Sequence, residues 1–143
     1  MDPTFDFGAL FQQFDTLLIG RRTFELMRRG GGTMAGMATI VVSQTLNAQD
    51  FPDIVVTRDL AKTVDALKQK SGKDIWLFGG GGLFRSALDL KLVDTIELAV
   101  VPILLSDGVP LLPPGARSPA LQLTESRELP SGIVLLSYRV KKK

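Results

Sequence analysis

Two stretches of this chain place glycines and hydrogen-bond donors where an anion could bind. The first is Asp74-Ile-Trp-Leu-Phe-Gly79-Gly80-Gly81-Gly82-Leu-Phe-Arg-Ser-Ala-Leu88. Ile75 to Phe78 is a short apolar run suited to a strand buried on both faces. Leu83, Phe84, Ala87 and Leu88 then recur at helical spacing, so the pattern reads strand, bare backbone turn, helix. Without side chains at the turn, a phosphate can approach backbone N–H groups and the positive end of the helix dipole. Gly79 to Gly82 does not spell G-x-G-x-x-G, and a tight ligand-free turn fits the same residues. The second stretch is Leu17-Leu18-Ile19, then Gly20-Arg21-Arg22-Thr23, then the helix-compatible Phe24-Glu25-Leu26-Met27. Arginine can grip a phosphate with two parallel N–H bonds, and Thr23 can cap the helix while donating to a diphosphate oxygen. A solvated basic pair is the plainer reading of Arg21 and Arg22. A third candidate is Asp6, beside the apolar stripe Phe7, Leu10, Phe11 and Phe14. There a carboxylate could be a raised-pKa proton donor, or could simply favour the start of a helix.

The elements that must hold these residues follow from periodicity. Asp2 with Pro3 reads as a helix start, and Phe7, Leu10, Phe11 and Phe14 fall at i, i+3, i+4 and i+7. Arg28 to Gly36 contains four glycines and reads as a flexible loop. Ala38 to Ser43 is a strand centred on Ile40-Val41-Val42 that ends in the polar Ser43-Gln44-Thr45. Asp53 to Thr57 is another strand, followed by Arg58. Asp59 caps a helix carrying Leu60, Val64 and Leu67 and stopping near Gly72. Val93 to Ile103 reads as one long strand, weakened at Pro102, and Leu104 to Pro119 as a long proline-rich connection. Leu121 and Leu123 alternate with polar residues, and Pro130-Ser131-Gly132 turns the chain into a last strand, Ile133 to Val140. Strands alternate with helices through residue 92 and antiparallel strands finish the chain, an α/β layered domain with a mostly parallel sheet. In such sheets ligands bind beyond the carboxyl ends of the strands, where Gly20–Thr23, Ser43–Thr45, Arg58 and Gly79–Gly82 all lie.

Composition narrows the chemistry. The 143 residues suit one domain, with no internal repeat and no linker, and hydrophobic residues at 45% against charged residues at 22% are an ordinary globular balance. The chain has neither cysteine nor histidine. That excludes disulfides, thiolate catalysis, Ser-His and Cys-His pairs and the commonest zinc ligands, and no metal is expected. Formal charge is +2, and Lys141 to Lys143 supply three of the positive charges. The high pI of about 9.1 is therefore no sign of nucleic-acid binding. No apolar run is long enough to span a membrane, and Met1 leads directly into Asp2-Pro3 without a signal peptide, so a cytoplasmic location is expected.

Three of these stretches, in this order, resemble the dihydrofolate-reductase-like superfamily. Leu17-Leu-Ile-Gly-Arg-Arg-Thr-Phe-Glu25 is similar to its apolar strand followed by G-R-x-T-[WFY]-E, and Ile40-Val-Val-Ser-Gln44 to its next strand with a terminal serine. Ile75-Trp-Leu-Phe-Gly-Gly-Gly-Gly-Leu-Phe84 is similar to its strand, glycine pair and helix. Pro102-Ile-Leu-Leu-Ser-Asp-Gly-Val-Pro-Leu111 resembles the branch related to the C-terminal reductase domain of the riboflavin biosynthesis protein RibD, with Ser106 where that branch often has glycine. The resemblance implies a three-layer α/β/α sandwich with an antiparallel C-terminal hairpin, covering residues 1–143 as a single domain. It also implies an NADPH site. Arg21 and Ser43 would hold the 2′-phosphate, Arg58 would flank the adenine, and Thr23 with the backbone from Gly79 to Leu83 would take the pyrophosphate. The implied cofactor set is Gly20, Arg21, Arg22, Thr23, Ser43, Gln44, Arg58, Phe78, Gly79, Gly80, Gly81, Gly82, Leu83 and Phe84. The implied chemistry is hydride transfer to a small heteroaromatic, pterin- or pyrimidinone-like substrate.

Members of that superfamily usually begin with a strand that lies in the middle of the sheet, followed by a loop lining the substrate pocket; this chain starts after both. Its sheet is expected either to rearrange or to be completed by another chain, since a vacant central lane leaves two rows of backbone groups unpaired. A homodimer, with or without strand exchange, is the expected assembly. The competing function is a catalytically silent nucleotide-binding or oligomerising remnant. A P-loop nucleotidase is disfavoured because Gly79–Gly82 is not followed by Lys-Ser/Thr. The proton donor stays open among Asp6, Glu25, Tyr138 and water.

Overall fold

A computed structural model describes residues 2–32, 34, 36–115 and 117–142. The elements in order are α1 (Phe7–Phe11), β1 (Phe14–Gly20), α2 (Arg21–Arg29), β2 (Ala38–Val42), a 3₁₀ turn (Ala48–Asp50), β3 (Val55–Thr57), α3 (Leu60–Lys68), β4 (Asp74–Gly79), α4 (Gly81–Asp89), β5 (Thr95–Val100), β6 (Leu121–Glu128) and β7 (Val134–Val140). Four strands form an all-parallel sheet in the order β3-β2-β1-β4, and three form an antiparallel sheet in the order β5-β7-β6. The fold is thus the α/β arrangement expected from the sequence, with the C-terminal hairpin antiparallel and β5 joined to it.

The central strand β1 is apolar on both sides because both sides are covered. Leu17 and Ile19 pack with Val41 and with Phe24 of α2 on one face. Leu18 packs with Ile40 on the other face, with Leu60 and Val64 of α3 and Ala87 of α4. Leu17, Ile19 and Val41 have no exposed surface at all. The parallel register, with Leu18 opposite both Ile40 and Leu77, brings the carboxyl ends of β1, β2 and β4 side by side.

Several boundaries differ from the sequence reading. Asp2 does not cap α1. Its Oδ1 accepts from the Thr4 N–H at 2.8 Å and from the Thr4 hydroxyl, and its Oδ2 accepts from the Ser131 N–H at 3.1 Å, tying the N-terminus to the β6–β7 turn. Asp6 is the cap, accepting from the Ala9 N–H at 2.9 Å. The helix then closes at Gln12, so Phe14 lies in β1, its ring stacked on Trp76 at 5.1 Å rather than continuing a helical stripe. Thr23 is the third residue of α2, whose cap is Gly20. The strand expected over Val93–Ile103 is shorter, Thr95–Val100, and stops before Pro102, which has no N–H to donate. Asp59 does cap α3, accepting from the Lys62 N–H at 2.9 Å. The glycine loop expected over 28–36 begins only at Gly30, and Thr33 and Ala35 lie outside the described residues. Among the described residues, no helix is long and apolar enough to cross a membrane.

Candidate functional site

At the carboxyl ends of β1, β2 and β4 a cavity of about 680 Å³ is lined by Gly20, Arg21, Arg22, Thr23, Val42, Ser43, Gln44, Thr45, Gly80, Gly81, Gly82 and Leu83, with Val109, Pro110, Pro113 and Pro114 opposite. The two strand–glycine–helix junctions singled out by the sequence therefore form one wall. Their backbones come close: a Cβ added at Gly20 would sit 3.8 Å from the Gly79 carbonyl oxygen and 3.9 Å from the Gly80 nitrogen.

Capping separates these two helices from the others. Asp6 and Asp59 satisfy N–H groups of α1 and α3 with their carboxylates. Gly20 and Gly80, the caps of α2 and α4, have no side chain to do so. The first N–H groups of two nine-residue helices thus start at one cavity without a side-chain acceptor, each at the positive end of its helix dipole. Carboxylates are absent from the residues lining this cavity, while Arg21 and Arg22 are both present. The donor set suits an anion and disfavours a cation.

The polar side chains are placed by local bonds. Ser43 is buried at the end of β2, and its N–H donates to the Thr57 carbonyl at 2.9 Å. Its hydroxyl oxygen accepts from the N–H groups of Thr45 (3.2 Å) and Leu46 (3.0 Å), a turn that leaves the hydroxyl proton to be donated. Arg21 Nη1 donates to Glu25 Oε1 at 2.9 Å, one helical turn along α2, and its side chain stays 44% exposed. An arginine has five N–H donors, so this pair leaves others for a ligand. Gln44 Nε2 donates to the Arg58 carbonyl at 2.9 Å.

Four of the residues assigned to a cofactor on the sequence are not among the lining of this cavity. Arg58 adjoins the cavity through that carbonyl but is not part of its lining. Phe78 packs edge-on against Trp76, with ring centroids 5.3 Å apart, and is not in the lining of this cavity. Gly79 and Phe84 line a second, larger groove, which shares Gly80 and Gly81 with the first. Asp6, the catalytic candidate, is engaged as the cap of α1. The wall formed by Val109, Pro110, Pro113 and Pro114 was not anticipated. It is held by Arg85 Nη2 donating to the Pro113 carbonyl at 3.1 Å and by the lack of a side chain at Gly81, where a Cβ would lie 3.1 Å from the Pro113 ring. The only sequence signal was the proline pair Pro113-Pro114, which stiffens the connection but does not say where it packs.

The chain is similar to several known proteins. The family model for the RibD C-terminal domain matches residues 3–135. The uncharacterized protein YyaP of Bacillus subtilis is 30% identical over 151 residues, spanning 96% of this chain and 80% of that relative. A Caenorhabditis elegans protein named "Putative dihydrofolate reductase" is 32% identical over 88 residues, 59% of this chain and 47% of its own length. Among solved structures, a "Putative riboflavin biosynthesis protein" from Shewanella sp. PV-4 superposes with a TM-score of 0.80 at 24% identity, covering 95% of this chain and 79% of that one.

Proposed function

The chain belongs to the RibD C-terminal domain family, a reductase-like family, and from that premise we propose that it is an NADPH-dependent reductase acting on a small heteroaromatic, pterin- or pyrimidinone-like substrate. The observation that carries this reading is the convergence of two glycine-capped helix N-termini with Arg21, Arg22 and Ser43 on one acid-free cavity. Bound there, the cofactor would supply a hydride. The chain supplies position. Arg21 and the Ser43 hydroxyl would hold the 2′-phosphate, with Arg22 and Gln44 at the rim. Thr23 and the N–H groups from Gly80 to Leu83 would take the pyrophosphate, and the Gly81–Pro113 contact holds the opposite wall in place. Val109, Pro110, Pro113 and Pro114 bound the site on the side opposite the glycine turns.

A second reading, nucleotide binding without turnover, is favoured by one observation: beyond Gly79 the site adjoins a wide groove instead of a closed substrate pocket. Two measurements separate the readings. Titration of NADPH against the fluorescence of Trp76, the single tryptophan, reports binding. Loss of NADPH absorbance in the presence of pterin and pyrimidinone substrates reports turnover. Binding with turnover supports the reductase, binding without it the silent form, and no binding removes both.

For the assembly we infer a homodimer. Ile103, Leu104, Leu105, Val109 and Leu111 are 66%, 101%, 78%, 97% and 60% exposed, an apolar run that monomers rarely leave uncovered. A second copy covering it would give a sedimentation mass twice that of the chain, and Leu104→Asp would reduce it to one; a wild-type chain that sediments as a monomer removes this inference.

A further inference from the structure

We propose that Arg85 is a positioning residue for the cofactor: it ties residues 111–115 to α4, and the hold of the cavity on a nicotinamide nucleotide depends on that tie. This role rests on the cofactor reading above. The wall opposite the glycine turns belongs to a segment with little else to hold it. Among the described residues no backbone–backbone hydrogen bond joins residues 104–119 to the rest of the chain. Pro113 and Pro114 have no N–H to donate. None of residues 101–119 belongs to either hydrophobic cluster, and Leu104 and Val109 are almost wholly exposed. Such a segment moves at little cost to the core.

α4 supplies the seat. Gly81 and Arg85 are four residues apart and share one face of the helix. At Gly81 the segment comes so near that a Cβ would meet the Pro113 ring at 3.1 Å and the Leu111 carbonyl oxygen at 3.3 Å. One turn on, Arg85 Nη2 donates to the Pro113 carbonyl at 3.1 Å. The guanidinium also lies against Gly115, where a Cβ would be 2.8 Å from Nε and 3.0 Å from Cζ. Asp89 Oδ1 is 3.4 Å from Nη1, and the Arg85 side chain is only 14% exposed. Arg85 is absent from the lining of the cavity, whereas Pro113 and Pro114 belong to it. Arg85 therefore acts through the prolines and not on the nucleotide. A wall in place for only a fraction of the time lowers the apparent affinity by that fraction. Arg21 and Ser43 lie on α2 and at the end of β2, away from this tie, so its loss weakens NADPH and NADH alike.

The test is fluorescence titration of NADPH and of NADH into the 143-residue chain and into Arg85→Met, Arg85→Lys and Gly115→Ala, each beside a thermal melt. Methionine keeps an unbranched stem and cannot hold the carbonyl. Gly115→Ala leaves Arg85 in the chain but pushes its guanidinium aside. Arg85→Met and Gly115→Ala are expected to bind both nucleotides about tenfold more weakly, with the NADPH-to-NADH preference unchanged and the thermal midpoint within a few degrees of wild type. Arg85→Lys, which keeps a donor, is expected to recover part of the affinity. Wild-type affinity in Arg85→Met and Gly115→Ala overturns the role. So does a loss confined to NADPH, because the guanidinium would then serve the phosphate directly. Weaker binding accompanied by a large fall in the thermal midpoint of both variants assigns Arg85 to the stability of the fold and also overturns it. A wild-type chain that binds neither nucleotide overturns the cofactor reading itself, and this role with it; in the other outcomes that reading stands.

Discussion

Arg21 pairs with Glu25 on the exposed face of α2, and its contribution to a phosphate contact is one of charge and donor geometry. Replacing it with alanine is expected to weaken NADPH by about 1.5–3 kcal/mol, roughly 10- to 150-fold in Kd, and to leave NADH nearly unchanged; paired fluorescence titrations check this. Asp2 and Asp15 make a different prediction. Hydrogen bonds from Ser131 and Thr4 hold the Asp2 carboxyl well below the usual carboxylate range. The Lys73 N–H and the Thr16 hydroxyl also lower the Asp15 carboxyl. A folded-state pKa below the unfolded one stabilises the ionised fold above about pH 4 and is lost as pH falls below that value. Asp2→Asn with Asp15→Asn should therefore lower the melting temperature at pH 7, with the difference from wild type shrinking toward pH 2 in a thermal melt series. Of these residues Arg21 and Ser43 were legible in the sequence, because each ends or follows a strand whose apolar core is unmistakable. Asp2 was not, since its partner Ser131 is 129 positions away and no local pattern announces it.

The helices show the same division. Asp59 capping α3 follows directly from its place before Leu60, and Asp59→Ala should cost about 1 kcal/mol in chemical denaturation with no effect on nucleotide binding. Gly20 and Gly80 cap by omission, and the sequence signalled both as glycine at a strand–helix junction. Gly81→Ala places a methyl 3.1 Å from Pro113, so the proline wall must move. Its expected result is weaker NADPH binding with thermal stability held or slightly raised, since alanine suits a helix better than glycine by up to about 1 kcal/mol; calorimetric titration beside a thermal melt checks it. β1 and β2 were legible as strands because both faces of each are buried. The start of α1 was misplaced because Asp2 and Asp6 both precede residues that could open a helix, and only tertiary contacts choose between them. The packing of the 109–114 segment depends on Arg85 and Gly81, far away in sequence, and could not be read from its prolines.

For the whole molecule, the parallel sheet, its helices on both faces and the antiparallel hairpin were implied by the alternation of elements. The division into two sheets was not; the edges of both, β4 and β5, line one groove. That division leaves the cavity at the ends of β1, β2 and β4 intact, because all three strands belong to the same sheet and share one core. Leu18 sits at the middle of that core, 2% exposed, and Leu18→Ala should cost about 2–5 kcal/mol in chemical denaturation. The most direct measurement of the central claim is calorimetric titration of NADPH and NADH into the wild-type chain and Arg21→Ala. The account predicts one saturable NADPH site per chain, tighter than NADH, with that preference lost in the variant. No heat of NADPH binding to the wild type, or a preference for NADPH that survives Arg21→Ala, would contradict it.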